Sequence, residues 1–158
     1  MKMHVLFPGS FDPPTKGHLA LVERAAGLFQ KVTVCISVNA GKTGWLGHAD
    51  RLRLMKDICG TWKNVRVISD EGLVVDCARR CGAQAIIKGL RSPVDFEGEK
   101  MMASVNNRIG QGIETIFLMA RDEHVAISSS LVRQIFQLGG DLSPFVPRRV
   151  CSFLRGKS

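Results

Sequence analysis

The stretch from His4 to His18 reads HVLFPGSFDPPTKGH and combines three kinds of local sequence. It begins with the mostly apolar run His4–Pro8, which is typical of a short strand buried in a parallel sheet. A loop rich in glycine and proline follows, and a helical pattern begins at Gly17. Glycine lets the backbone approach a ligand closely, and a helix start offers unpaired N–H groups and a positive dipole end. The stretch therefore predicts a strand, an anion-binding loop and a helix in succession.

Short apolar runs continue to alternate with segments of helical periodicity along the rest of the chain. The predicted strands are His4–Pro8, Val32–Ser37, Val65–Ser69, Ala85–Lys88 and Thr115–Met119. The predicted helices are Gly17–Phe29, Ala49–Cys59, Leu73–Cys81, Val94–Arg108, Ser130–Leu138 and Pro147–Leu154. This order predicts an α/β fold: one Rossmann-like domain over residues 1–158, with a five-stranded, mainly parallel sheet and helices on both faces. Because ligands of such sheets bind beyond the carboxyl ends of the strands, we expect the chemistry in the loops after strands one, two, four and five.

The composition fits this fold and indicates the cellular compartment of the protein. The chain has 158 residues, of which 45% are apolar and 23% charged, as in a globular domain with a real core. No apolar run approaches the roughly 18 residues that span a bilayer, and the apolar N-terminal run ends too early for a signal peptide. The sequence contains no CxxC motif and no pair of histidines that could complete a zinc site with the cysteines, which indicates buried thiols. We therefore expect a cytoplasmic protein without a membrane partner.

The formal net charge of +8 favours anionic partners such as phosphates, nucleic acids or membrane surfaces. The positive residues are spread along the chain and do not form a tail. Aromatic residues make up only 6%, and tyrosine does not occur, which argues against a surface that stacks single-stranded bases. We therefore expect small phosphorylated ligands and no nucleic acid.

The loop after the first strand contains neither GxGxxG nor a P-loop pattern. It instead places His18 in the first turn of a helix, beside a site of phosphate size. A lone histidine is structural more often than functional, but the Thr15-Lys16-Gly17-His18 sequence after a strand favours a functional role.

The segment Gly9–His18 closely resembles the T/HxGH signature of the nucleotidyltransferase superfamily, in the form found in bacterial phosphopantetheine adenylyltransferases. Three further segments agree with this family in order and spacing. Lys42 follows the second strand. Ile87-Lys88-Gly89-Leu90-Arg91 leads on to Glu99 after the fourth strand, and Ile127-Ser128-Ser129-Ser130-Leu131-Val132-Arg133 follows the fifth.

The resemblance implies transfer of the adenylyl group of ATP to 4′-phosphopantetheine, in coenzyme A biosynthesis. The catalytic residues it implies are His18, Lys42 and Arg91. The residues implied to bind ATP are Ser10, Phe11, His18, Gly89, Leu90, Arg91, Glu99, His124, Val125, Ala126, Ile127, Ser128, Ser129 and Ser130. Those implied to bind the acceptor are Ser10, Lys42, Val74, Lys88 and Asn106. The resemblance further implies Mg²⁺ carried with ATP and no metal ligands in the protein, a homohexamer, and feedback by coenzyme A.

Several positions depart from the family pattern and leave substrate detail open. Ser10 replaces the usual threonine, Lys88 the usual arginine, Gly98 a frequent aromatic and Gln134 a common acid, while residues 45–51 replace a typical Thr-x-x-Glu-Arg helix start. Lysine keeps the charge of arginine but loses its planar fork. The alternatives are an adenylyltransferase for another phosphorylated acceptor, such as nicotinamide mononucleotide, and a non-catalytic nucleotide- or RNA-binding protein.

Overall fold

The computed structural model describes residues 2–38 and 44–156. The strands are β1 (His4–Gly9), β2 (Lys31–Ser37), β3 (Val65–Asp70), β4 (Ala85–Leu90) and β5 (Glu114–Met119). The α-helices are α1 (Lys16–Leu28), α2 (His48–Cys59), α3 (Val74–Cys81), α4 (Pro93–Ile109), α5 (Ser129–Gln137) and α6 (Arg148–Arg155), with a 3₁₀ turn at Asp122–His124. Every predicted strand and helix is present, and its ends lie within two residues of the prediction.

The strands form one sheet in the order β3-β2-β1-β4-β5, and every pair is parallel. This confirms the predicted fold class and makes the sheet wholly rather than mainly parallel. The chain runs outward from β1 to β3 and then returns to the other side of β1 with β4. The strand order thus reverses between β1 and β4, and in open α/β sheets the ligand crevice opens at this reversal.

Alternating side chains of β1 point into two separate parts of the core, as strand geometry requires. Val5 and Phe7 pack with α1 and α2 on one face, and Leu6 packs with α3 on the other. The helix α4 covers β4 and β5 on the α3 face, where Phe96 meets Phe117 edge to face at 5.7 Å. Helices therefore lie on both faces, and the carboxyl ends of the strands stay open.

A further apolar cluster joins α2, α5 and α6 and includes Leu54, Val132 and Val150. It anchors the C-terminal part of the chain beside the first loop, where the Lys16 N–H donates to the Phe145 carbonyl at 2.9 Å. Pro147 is the N-cap of α6 and does not lie in its first turn, which corrects the sequence expectation. No helix in the described part of the chain is long and apolar enough to cross a membrane. The single domain over residues 1–158 stays a prediction.

Candidate active site

The first turn of α1 fixes the orientation and the tautomer of His18. Thr15 is the N-cap, and its Oγ1 accepts the His18 N–H at 3.3 Å. In return, the Thr15 N–H donates to Nδ1 of the His18 ring at 3.1 Å. This is a capping box in which histidine takes the place usually held by Glu or Gln. Because Nδ1 accepts a hydrogen bond, the proton of the neutral imidazole sits on Nε2, which has no hydrogen-bond partner among the described residues.

The surroundings of His18 keep its ring neutral. Burial, and then the positive charge of Arg91, lower the pKa of His18 to about 4. The ring also rests on Phe11 at a centroid distance of 5.0 Å, and Phe11 in turn meets Phe7 at 5.7 Å. Phe11 has a positive φ of 48°, which L-residues rarely adopt and which its buried ring packing stabilises. At neutral pH, His18 is therefore a fixed hydrogen-bond donor and carries no charge.

The loop between β1 and α1 is held in place by side chains from other elements. Arg51 of α2 donates to the Ser10 carbonyl at 2.9 Å, and Arg133 of α5 donates to the Asp12 carbonyl at 2.7 Å. Ser129 donates its hydroxyl to the Pro13 carbonyl at 2.8 Å. These contacts satisfy the carbonyls of a loop that has no ladder partners, so they fix the path of the backbone toward His18.

Asp12 lies in the same loop, and its side chain accepts hydrogen bonds from backbone groups outside the loop. Its carboxylate is buried and accepts the backbone N–H groups of Trp45 and Leu46, each at 2.7 Å. Charge-assisted bonds of this kind are short and about twice as strong as neutral ones. Sequence reasoning assigned no role to Asp12, Arg51 or Arg133, because their partners are backbone atoms far away in the sequence.

The carboxyl end of β4 brings two cations to the same place. Lys88 Nζ lies 3.2 Å from Glu99 Oε2 and 3.5 Å from Glu99 Oε1. The Arg91 Nε–H donates to Asp95 Oδ2 at 3.2 Å, and its Nη1 donates to the Ile127 carbonyl at 3.3 Å. Glu99 therefore partners the basic side chain of Lys88, and its role in ATP binding stays a prediction.

The N-terminus of α5 completes the arrangement. Ser128 is the N-cap, and its Oγ accepts the Leu131 N–H at 3.1 Å. Ser130 Oγ accepts from Arg133 Nη2 at 3.0 Å. Both hydroxyls only accept in these contacts, so each can still donate its O–H to an anion, beside the first backbone N–H groups of the helix.

These elements surround a cavity of about 490 Å³ at the reversal of strand order, within the usual size range of small-molecule sites. The predicted site residues that line it are Ser10, Phe11, His18, Lys88, Gly89, Arg91, Glu99, His124, Ile127, Ser128, Ser129 and Ser130. Arg133 and Asp95 line it as well, so three cations face two carboxylates. His124 Nδ1 is buried without a hydrogen-bond partner among the described residues, which suits a polar ligand.

Other predicted site residues do not line this cavity. Leu90, Val125 and Ala126 are chain neighbours of residues that do. Val74 is the first residue of α3 and packs against the cluster around Leu6, and Asn106 is buried in α4. Lys42 lies outside the described residues. The roles assigned to all of these residues stay predictions.

Comparison with known proteins identifies the family of this chain. Residues 6–135 match the Cytidylyltransferase-like family. The phosphopantetheine adenylyltransferase of Methylococcus capsulatus is 41% identical over 157 residues, covering 99% of this chain and 97% of that protein. That of Caldanaerobacter subterraneus is 43% identical over 152 residues, covering 96% and 95%. The chain belongs to the phosphopantetheine adenylyltransferase family.

A solved structure supports the fold independently. A putative nicotinate-nucleotide adenylyltransferase from Vibrio parahaemolyticus superposes with a TM-score of 0.71, covering 98% of this chain and 99% of that one, at 19% identity. Among the departures from the family pattern, Ser10 and Lys88 line the cavity. Gly98 does not, and a Cβ added there would meet nothing within 4 Å.

Proposed function

We propose that this protein transfers the adenylyl group of ATP to 4′-phosphopantetheine, giving dephospho-coenzyme A and pyrophosphate. One observation carries the proposal: a neutral His18 with a free Nε2–H, the cations Lys88 and Arg91, and the start of α5 line a single cavity at the reversal of strand order. A phosphoryl-type transfer between two polyanions needs such positive groups and donors, and it needs no protein nucleophile.

In the proposed reaction, a phosphate oxygen of the acceptor attacks the α-phosphorus of ATP. The bond from the α-phosphorus to the bridging oxygen of pyrophosphate breaks, and the electron pair leaves with pyrophosphate. Negative charge grows on the α-phosphate oxygens, where the His18 Nε2–H would donate a hydrogen bond that strengthens in the transition state. Arg91 would hold the β- and γ-phosphates through its planar fork, together with the N–H groups at the start of α5.

The acceptor phosphate is proposed to lie beside Lys88, with Lys42 as a second contact and Ser10 between the two substrates. Lys88 is about one-quarter exposed and already paired with Glu99, so it is fixed near the cavity before a ligand arrives. Exchange of the carboxylate for a phosphate dianion keeps the ammonium group compensated throughout. This geometry supports a phosphorylated acceptor over one without a phosphate.

A turnover assay for pyrophosphate release tests the proposal against its alternatives. The protein is incubated with ATP and, separately, 4′-phosphopantetheine, pantetheine and nicotinamide mononucleotide. We expect efficient turnover with 4′-phosphopantetheine only, and a large loss in a His18→Gln control. Preference for the mononucleotide would favour a sibling adenylyltransferase. Binding of ATP without turnover on any acceptor would favour a non-catalytic nucleotide-binding protein.

Mg²⁺ is proposed to arrive with ATP and to be held mainly by its phosphates. The two carboxylates at the cavity are each paired with a cation, Asp95 with Arg91 and Glu99 with Lys88. Within residues 2–38 and 44–156, no group of three or more His, Cys, Asp or Glu side chains is arranged to hold a metal. The donor set therefore fits a metal that the nucleotide supplies, where it would offset phosphate charge.

A homohexamer is proposed as the assembly, and the outer face of α4 supports self-association. Val94, Met101, Met102, Val105 and Ile109 are all exposed on this helix, with Val94 at 79% and Met101 at 68%. An apolar stripe of this length is unusual on the surface of a monomer. We expect Met101→Glu to lower the mass measured by sedimentation, while Leu138→Glu, at an even more exposed apolar position (86%) on another surface, leaves it unchanged.

Feedback by coenzyme A and a cytoplasmic location complete the proposal. Coenzyme A contains the acceptor and nucleotide parts of the expected product, so it should compete with both substrates for this cavity. Competitive inhibition by coenzyme A against 4′-phosphopantetheine is the corresponding measurement.

All five cysteines are free thiols, which supports the proposed cytoplasmic location, where thiols stay reduced.

A further inference from the structure

Arg91 is fixed by an aspartate four residues further along the chain. Asp95 Oδ2 accepts two hydrogen bonds from this one residue, from the Arg91 backbone N–H at 3.1 Å and from its Nε–H at 3.2 Å. A single oxygen thus sets both the backbone position of Arg91 and the start of its guanidinium plane. Arg91 would otherwise be a long side chain about 40% exposed, with many accessible rotamers.

Two more contacts make this arrangement rigid. The Arg91 Nη1 donates to the Ile127 carbonyl at 3.3 Å, which ties the guanidinium to the segment before α5. Asp95 is itself held in the first turn of α4, because its N–H donates to Oγ of the N-cap Ser92 at 3.2 Å. Arg91 lines the cavity, and its Nη2 has no partner among the described residues. The Arg91 guanidinium is therefore held in a fixed orientation, and its Nη2 can bind a ligand.

We propose that Asp95 is a positioning residue, which holds the Arg91 guanidinium in the orientation that receives the β- and γ-phosphates of ATP. The inference rests on the proposed function, because it takes the role of Arg91 from there. Asp95 also places a negative charge near the triphosphate. Positioning of Arg91 by Asp95 would strengthen ATP binding, whereas repulsion between Asp95 and the triphosphate would weaken it. Mutation of Asp95 therefore distinguishes the two effects.

Asp95→Asn keeps the shape of the side chain and removes its charge, and Glu97→Gln removes a charge from an exposed neighbour on the same helix that does not line the cavity. We expect Asp95→Asn to raise the KM for ATP about tenfold, and that for pyrophosphate in the reverse reaction equally, because the guanidinium loses a charge-assisted contact. The KM for 4′-phosphopantetheine should change less than about twofold, whereas general damage to the fold would raise both. Glu97→Gln should behave as the wild type.

The deciding measurement repeats Asp95→Asn in an Arg91→Gln background. If Asp95 acts through Arg91, the second mutation adds less than about twofold to the KM for ATP. A tenfold effect that persists without Arg91, or a lower KM for ATP in Asp95→Asn alone, overturns the inference. If Arg91→Gln by itself leaves the KM for ATP unchanged, the proposed role of Arg91 fails first, and this inference falls with it.

Discussion

Replacing His18 by glutamine tests whether the imidazole is neutral in the folded protein. Its pKa is about 4 in the fold, because of burial and of Arg91, against 6.5 for an ordinary histidine. A native group with a lowered pKa disfavours the protonated state, so the contribution of His18 to stability is full above pH 6.5, falls as pH drops from 6.5 to 4, and is lost below the native pKa. At 1.36 kcal/mol per pKa unit, the loss saturates at about 3 kcal/mol below pH 4.

Urea unfolding at pH 7.5 and at pH 4.5 measures this contribution. Between these two values, the wild type should lose about 2.5 kcal/mol more of its unfolding free energy than His18→Gln, since carboxylates titrate alike in both proteins. A proton NMR titration of the His18 ring should show no midpoint above about pH 5. Equal losses in the two proteins, or a midpoint near 6.5, would refute both the neutral ring and its role as an uncharged donor.

Two further predictions concern single carboxylate and lysine contacts. Lys88→Arg should retain activity and bind the acceptor modestly more tightly, whereas Lys88→Gln should lose most of kcat/KM for the acceptor at saturating ATP. If the glutamine variant performs as well as the wild type, position 88 has a structural role only. Asp12→Asn keeps one acceptor oxygen and replaces the other by an NH2 group that cannot accept a hydrogen bond, so one of the two bonds from the Trp45 and Leu46 N–H groups is lost and the other loses its charge. The unfolding free energy should fall by about 1–3 kcal/mol. Thermal unfolding measures the effect, with Asp57→Asn, at an exposed acid of α2, as the control.

The order of elements was readable from the sequence for a physical reason. Buried parallel strands are short apolar runs, and the helices between them carry apolar residues at helical spacing, so each element marks itself locally. The strand β4 shows the limit of this signal: it continues to Leu90 because Gly89 and Leu90 pair with Leu118 and Met119 of β5. Pairing across strands is not visible in the residues at the end of a single run.

The local sequence also determined much of the candidate site. Thr15 and His18 lie three residues apart at a helix start, and the Ser128–Ser130 run caps α5, so both features follow from short-range hydrogen bonding. The residues implied by the family resemblance include most of those that the fold collects around the cavity. These groups meet because parallel strands end at one edge of the sheet.

Only the tertiary structure decided which groups are engaged and which are free. Arg51 and Arg133 donate hydrogen bonds to loop carbonyls, and the Ser129 hydroxyl donates to the Pro13 carbonyl. These atoms come together from distant parts of the chain. The pKa of His18 likewise depends on burial and on Arg91, 73 positions away by number (91 − 18). The sequence by itself determined the fold and the chemical types at the site. Their protonation and availability came from long-range packing, since desolvation and charge act through space and not along the chain.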